Sequence, residues 1–125
     1  VGVDTVERAR IVGVTDGLAT VRIGPAQLVA PAPAGLDGEV YVCIHAGDVI
    51  LDKGPPSSQN SARNQLAGHV EALVREGSMV RVSLDCGFPL KALVTNQACQ
   101  ELVLRQGEGV TALLKASAIH LVSRN

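Results

Sequence analysis

Two short polar runs in the second half of the sequence hold the residues best suited to chemistry. Ser61-Ala62-Arg63-Asn64 leads into Gln65-Leu66-Ala67-Gly68, and Lys115-Ala116-Ser117 directly follows an apolar run. Together they supply two fixed cations, two hydroxyls, an amide and several backbone N–H groups. Ala62 and Ala116 are small enough to let an anion approach the main chain. Such a set suits a dianion held by charge-assisted hydrogen bonds and a nest of backbone donors. No general base stands beside a nucleophile in either run, so hydrolysis is not suggested and the catalytic set is empty. Taken singly, the same residues have plainer uses. Arg63 suits a solvated charge, Lys115 a side chain snorkelling out of a buried run, and Ser61 and Asn64 a capped turn.

Composition narrows the partners. The chain has 125 residues, 11 basic and 12 acidic, for a net charge of −1. No basic field covers the molecule, so binding to a phosphate backbone is poorly supported, and any anion site must be local. With one Tyr, one Phe and no Trp, no aromatic platform for stacking bases is available. The three cysteines, Cys43, Cys86 and Cys99, are odd in number and lack a CxxC pair. They read as reduced thiols of a cytosolic protein, with no zinc cage and no other metal site. His69 and His120 fall in strand patterns and are expected to face solvent. Glu71, Asp85, Glu101 and Glu108 read as solvated faces. No apolar window is long enough to cross a membrane, and the first ten residues lack the apolar centre of a signal peptide. The chain starts without Met, as a segment cut from something longer would.

Positioning these residues falls mostly to strands. Ala19, Val21 and Ile23 alternate with polar neighbours after Asp16-Gly17, and Val80, Val82 and Leu84 do so after Glu76-Gly77. Period-two alternation behind a turn signal reads as a half-buried antiparallel strand. Residues 40–44 and 110–114 form two more apolar runs. One helix is predicted over 96–102, capped by Thr95, with Ala98 and Leu102 on one face. Residues 52–60, DKGPPSSQN, read as a linker.

That linker separates two copies of one unit. Residues 109–121 lie over 39–51 without a gap, at a spacing of 70, and the strand after Gly77 lies over the strand after Gly17. The second copy is longer because it holds the helix; the first has only the Pro-rich VAPAPAGLD there, which cannot form one. Short, evenly spaced strands, one helix and internal duplication predict an all-β chain of two tandem OB-like Greek-key barrels. The predicted division is a degenerate barrel at 1–52, a linker at 53–60 and a second barrel at 61–125. Each half is small enough to be marginal alone, so mutual packing or dimerisation is expected.

SARNQLAGHV, VRVSLDCGFPLKALVT and LLKASAIHLV, in that order over about residues 58–123, resemble the Mop domain, also called TOBE. The first half resembles the degenerate copy preceding it in ATP-binding subunits of molybdate and tungstate importers. VGVDTVERARI is similar to the junction where such a subunit leaves its ATPase domain. The resemblance implies a molybdate or tungstate ligand and no cofactor. It places the anion contacts at Ser61, Ala62, Arg63, Asn64, Lys115, Ala116 and Ser117, between two barrels and often across a homodimer interface. It also implies a cytoplasmic regulatory module, working with a transporter ATPase domain and a membrane permease but not itself inserted in the membrane. A free-standing oxyanion buffer protein is the alternative, and a nucleic-acid-binding OB module a second. IHAGDVIL departs from the family pattern, with His45 where Arg is usual.

The halves differ where the chemistry sits. Aligned at their starts, Gly2-Val3-Asp4-Thr5 lies over Ser61-Ala62-Arg63-Asn64. Asp4 then replaces Arg63, His45 replaces Lys115 and Gly47 replaces Ser117. A carboxylate in place of a guanidinium repels a dianion, so only the second half is expected to present a competent half-site. His45 is also a candidate pH-sensitive ligand, with a plain strand position as the simpler reading.

Overall fold

The computed structural model describes residues 3–36 and 38–124. Ten strands run in chain order: β1 Thr5–Thr15, β2 Leu18–Ile23, β3 Ala26–Pro31, β4 Glu39–Ile44, β5 Ile50–Asp52, β6 Asn64–Glu76, β7 Met79–Asp85, β8 Pro89–Thr95, β9 Gly109–Leu114 and β10 Ile119–Ser123. One helix, α1, spans Asn96–Glu101, and two 3-10 turns span Ala46–Asp48 and Ala116–Ala118. The fold is all-β, as the alternation predicts. Ala19, Val21 and Ile23 are buried, as are Val80, Val82 and Leu84, while their strand neighbours are not.

The strands form two five-stranded sheets, in the orders β10-β4-β1-β2-β3 and β5-β9-β6-β7-β8. Each sheet therefore takes its last strand from the other half of the sequence. β5 leaves the first half to pair with β9, and β10 leaves the second half to pair with β4. The exchange is symmetric in register. His120 faces Cys43 across one ladder, and Ile50 faces Leu113 across the other. Thr5 faces Ile44 and Asn64 faces Leu114. Thr5 and Asn64 thus hold equivalent places, as the aligned halves predict. Gly2, the counterpart of Ser61 in that alignment, lies outside the described residues.

The exchange fuses the two hydrophobic interiors. Val49 and Leu51 at β5, and Ile119 and Leu121 on β10, belong to one cluster with Val42, Val82, Leu90 and Leu114. Each fully buried Val, Leu or Ile stabilises by about 1.5–3 kcal/mol relative to exposure. Neither set of strands can leave without exposing part of this shared interior.

Polar groups stitch the same junction. The Asn64 amide is buried and pairs with both backbone groups of Val29 on edge strand β3: Val29 N–H donates to Oδ1 at 2.7 Å, and Nδ2 donates to the Val29 carbonyl at 2.8 Å. Thr5, its counterpart, accepts from the Lys91 N–H on the other edge strand, β8, at 3.1 Å. An edge strand carries unpaired backbone groups, and these two side chains occupy some of them from the opposite sheet. At Gly68 the backbone of β6 runs so close to β7 that a Cβ would lie 2.6 Å from Cys86 Sγ and 2.7 Å from the Asp85 carbonyl oxygen.

The helix lies where predicted, one residue shorter, with Leu102 as its C-cap. Thr95 Oγ1 accepts from the Ala98 N–H at 3.0 Å. The linker is irregular but tied down: Gly54 N–H donates to Asp52, Thr111 Oγ1 donates to the Gly54 carbonyl, and Gln65 Oε1 accepts from Ser57 N–H. Cys43, Cys86 and Cys99 are free thiols. Burial, followed by the charge of Asp85, pushes the Cys86 thiol up to about 11, and burial also raises Cys43.

Candidate oxyanion site

The two polar runs come together because β6 and β9 are neighbours. Asn64 pairs with Leu114, so the residues just before β6 and just after β9 lie side by side at one end of the sheet. The chain beyond β9 tightens at once into the 3-10 turn at Ala116–Ala118, with Lys115 in extended backbone at its start. Between this turn and the matching turn of the first half lies a recess of about 590 Å³. Ser61, Ala62, Lys115 and Ser117 line it, and Ile50 and Leu113 add apolar surface. Ile50 arrives on the exchanged strand β5 and is 62% exposed. The strand exchange therefore supplies one wall of the site.

The remaining predicted residues sit differently. Arg63 lines an adjoining recess of about 340 Å³ with Ser57, Ser58 and Gln65, and the two recesses meet at Ala62. Its guanidinium donates to the Asn60 and Ser61 carbonyls of its own loop, at 2.5 and 3.4 Å. These bonds engage two of its donors and leave others. Asn64 is committed to Val29, as described above. The Ala62 N–H donates to Asn60 Oδ1 at 2.9 Å, so Ala62 offers the recess its small side chain rather than its amide. Ala116 is half-buried, and among the described residues its N–H has no protein partner.

Two carboxylates that sequence reasoning passed over also line the larger recess, Asp48 and Asp52. Asp48 ends the first half's turn and Asp52 ends β5, so both reach the site through the strand exchange. One Asp52 oxygen is engaged by the Gly54 N–H at 2.8 Å. The only sequence signal for either would have been the exchange itself, which the spacing of the repeats does not encode. With Lys115 as the cation facing two carboxylates, the recess of one chain is not positive by itself.

The first half answers differently at the equivalent place. Asp4 Oδ2 accepts from the Ala46 N–H at 2.8 Å, and Asp4 Oδ1 accepts from Arg81 at 2.8 Å. The Ala46 N–H foremost, then Arg81, hold the Asp4 carboxyl below its ordinary value against the opposing effect of burial. His45, the counterpart of Lys115, lies edge-on to His120 with ring centroids 6.3 Å apart. Elsewhere, His69, Glu71 and Asp85 bring ligand-type atoms within 4.8 Å of one another. His69 and Asp85 are directly paired across β6 and β7, and a register irregularity falls between Val70 and Ala72. All three side chains are solvent-accessible, in keeping with the reading of Glu71 and Asp85 as solvated faces.

The fold and recess define a class: paired OB-like barrels with exchanged terminal strands and a polar recess at the exchange. Residues 60–121 match the TOBE domain. That segment of the chain is a TOBE domain. It is 34% identical over 120 residues to the molybdate/tungstate import ATP-binding protein WtpC of Pyrococcus horikoshii, covering 92% of this chain and 34% of that protein. It is 39% identical over 70 residues to the molybdenum transport protein ModE of Azotobacter vinelandii, covering 54% of this chain and 26% of that one. The chain thus spans about a third or less of these curated relatives. The crystal structure of the cytoplasmic molybdate-binding protein ModG with molybdate bound superposes with a TM-score of 0.82 at 26% identity, covering 98% of this chain and 97% of that one.

Proposed function

We propose that the chain binds a tetrahedral, doubly charged oxyanion, molybdate or tungstate, in the recess formed by Ser61, Ala62, Lys115 and Ser117. The observation that carries this reading is the convergence of two sequence-distant polar runs on one recess. Lys115 supplies charge, Ser61 and Ser117 supply hydroxyl donors, and the Ala116 N–H supplies a main-chain donor. Hydrogen bonds to a charged group contribute about 1.5–3 kcal/mol each. Four of them, less the cost of immobilising the ion, reach about micromolar affinity. The module works by binding, not by catalysis.

Because Asp48 and Asp52 offset Lys115, the recess works as a half-site in this reading. A second copy of the chain completes it by covering the recess and bringing a further cation, with Arg63 on the adjoining recess the group best placed to serve a neighbour. Asn64 then acts as the anchor of the site rather than as a contact. Molybdate is fully ionised near neutral pH and takes donors only, whereas phosphate keeps a proton that seeks an acceptor. Sulfate is also fully ionised, so cavity size must exclude it.

Free-standing storage or buffering of the anion in the cytoplasm is the use favoured by the near-complete mutual coverage with ModG. Regulation of an importer's ATP-binding subunit, next to a transporter ATPase domain and permease, is the second reading, favoured by the likeness to WtpC. Among the described residues no helix is long and apolar enough to cross a membrane. Titration with molybdate, tungstate, sulfate and phosphate, with mass measured in solution, tests the proposal. Saturable uptake of the first two, with a rise in mass to a dimer or higher, supports it. Equal response to all four, or none, contradicts it.

A further inference from the structure

The Asp4 carboxylate occupies the main-chain donor that the chain's own symmetry matches to the Ala116 N–H. Thr5 and Asn64 hold the same ladder position, so Asp4 is the counterpart of Arg63 and Ala46 the counterpart of Ala116. In the second half, the Ala116 N–H has no protein partner among the described residues, and the function proposed above gives it to the oxyanion. In the first half, the Ala46 N–H is already taken by Asp4 Oδ2 at 2.8 Å. The other Asp4 oxygen meets the Arg81 guanidinium at 2.8 Å. Arg81 comes from β7, in the other sheet, and its Nε also donates to Glu76 at 2.8 Å. One carboxylate thus receives a main-chain donor and a guanidinium from two different elements, the pair of donors that suits an oxyanion.

We propose that Asp4 is a built-in anion, which fills the first half's equivalent of the oxyanion position and so limits the number of oxyanions each chain takes up. This rests on the function proposed above and adds a determinant of stoichiometry to it. The halves are then not one working and one decayed copy. The first keeps donors for an anion and satisfies them internally. The ligand that this position would accept, once emptied, is again a tetrahedral oxyanion, held by the Ala46 N–H and Arg81. Glu76 remains on Arg81 and makes the emptied position the weaker of the two.

The test is calorimetric titration with sodium molybdate of the wild type, Asp4→Ala and Asp4→Ala/Arg81→Gln, each checked for fold by circular dichroism and melting. The proposal expects Asp4→Ala to take up twice the wild-type number of molybdate ions per chain, and the double variant to return to the wild-type number. Asp4→Ser, a second truncation that also vacates the Ala46 N–H, guards against failure of the alanine variant to fold and is expected to show the same extra uptake. In parallel, the Ala46 amide resonance should shift with molybdate in the folded variants and stay fixed in the wild type. A folded Asp4→Ala or Asp4→Ser protein with wild-type uptake and an unmoved Ala46 resonance overturns the proposal. A wild type that binds no molybdate refutes the proposed function instead. Arg81-dependent uptake by the variants then decides the present inference separately.

Discussion

Asn64 and Val29 form a two-way hydrogen-bonded pair in which a side-chain amide stands in for a neighbouring strand. Val29 belongs to edge strand β3, which hydrogen-bonds only to β2 within its sheet. The amide at the start of β6 satisfies its outward N–H and carbonyl together. The residue that ends the first polar run of the second half thus ties the strand beside the recess to the opposite sheet.

Asn64→Ala removes this amide and strands two half-buried backbone groups. It should cost about 1–3 kcal/mol of stability, the penalty for an unsatisfied buried donor or acceptor. Urea unfolding followed by circular dichroism measures this. A loss near zero would show that water replaces the amide freely.

Gly68→Ala should destabilise by about 1–3 kcal/mol through overpacking. The added Cβ meets the backbone carbonyl of Asp85, which cannot swing aside as a side-chain tip would. A thermal melt is sufficient to read it, and an unchanged melting temperature would mean that β6 and β7 separate at little cost.

Asp48→Asn should tighten oxyanion binding. Removing a solvent-screened like charge from the recess is worth about 0.2–1 kcal/mol, so affinity should rise by up to about five-fold at low salt. The gain should shrink as salt rises, because the Debye length falls. Titrations at two ionic strengths separate this from a change of shape.

Asp4 makes acid stability testable. Its folded carboxyl is depressed below the value of 3.8 that it has when free. It therefore contributes stability that is present above that value and is lost as pH falls through the folded one. Asp4→Asn should remove this acid-side loss and leave the shape of the neutral range unchanged, as followed by melting between pH 2 and 6, roughly the span over which a depressed carboxyl titrates. An identical acid limb in both proteins would mean that the carboxylate gains nothing from Ala46 and Arg81.

Much of the fold was legible because it depends on local pattern. The alternation in 19–23 and 80–84, the Thr95 cap and the internal repeat each follow from residues near in sequence. Even the pairing of Asp4 with Arg63 followed from aligning the halves, and the register of β1 and β6 bears it out. The exchange of β5 and β10 was not legible. Each strand carries the same alternation whichever sheet it joins, so nothing in residues 50–52 or 119–123 names its partner. Asp48, Asp52 and Ile50 reach the recess only through that exchange, and so they escaped notice. The use of Asn64 by Val29 was hidden for a related reason: a polar residue before a strand looks alike whether it holds a ligand or a distant edge.

Lys115 is the cation at the larger recess, and the account depends most on it. Calorimetric titration of Lys115→Ala with molybdate, beside the wild type, is the most direct measurement. Loss of a charge-assisted hydrogen bond to the anion should cost about 1.5–3 kcal/mol. The variant should therefore keep its fold and bind at least about ten-fold more weakly, or not measurably. A folded Lys115→Ala protein that binds molybdate as tightly as the wild type would contradict the account.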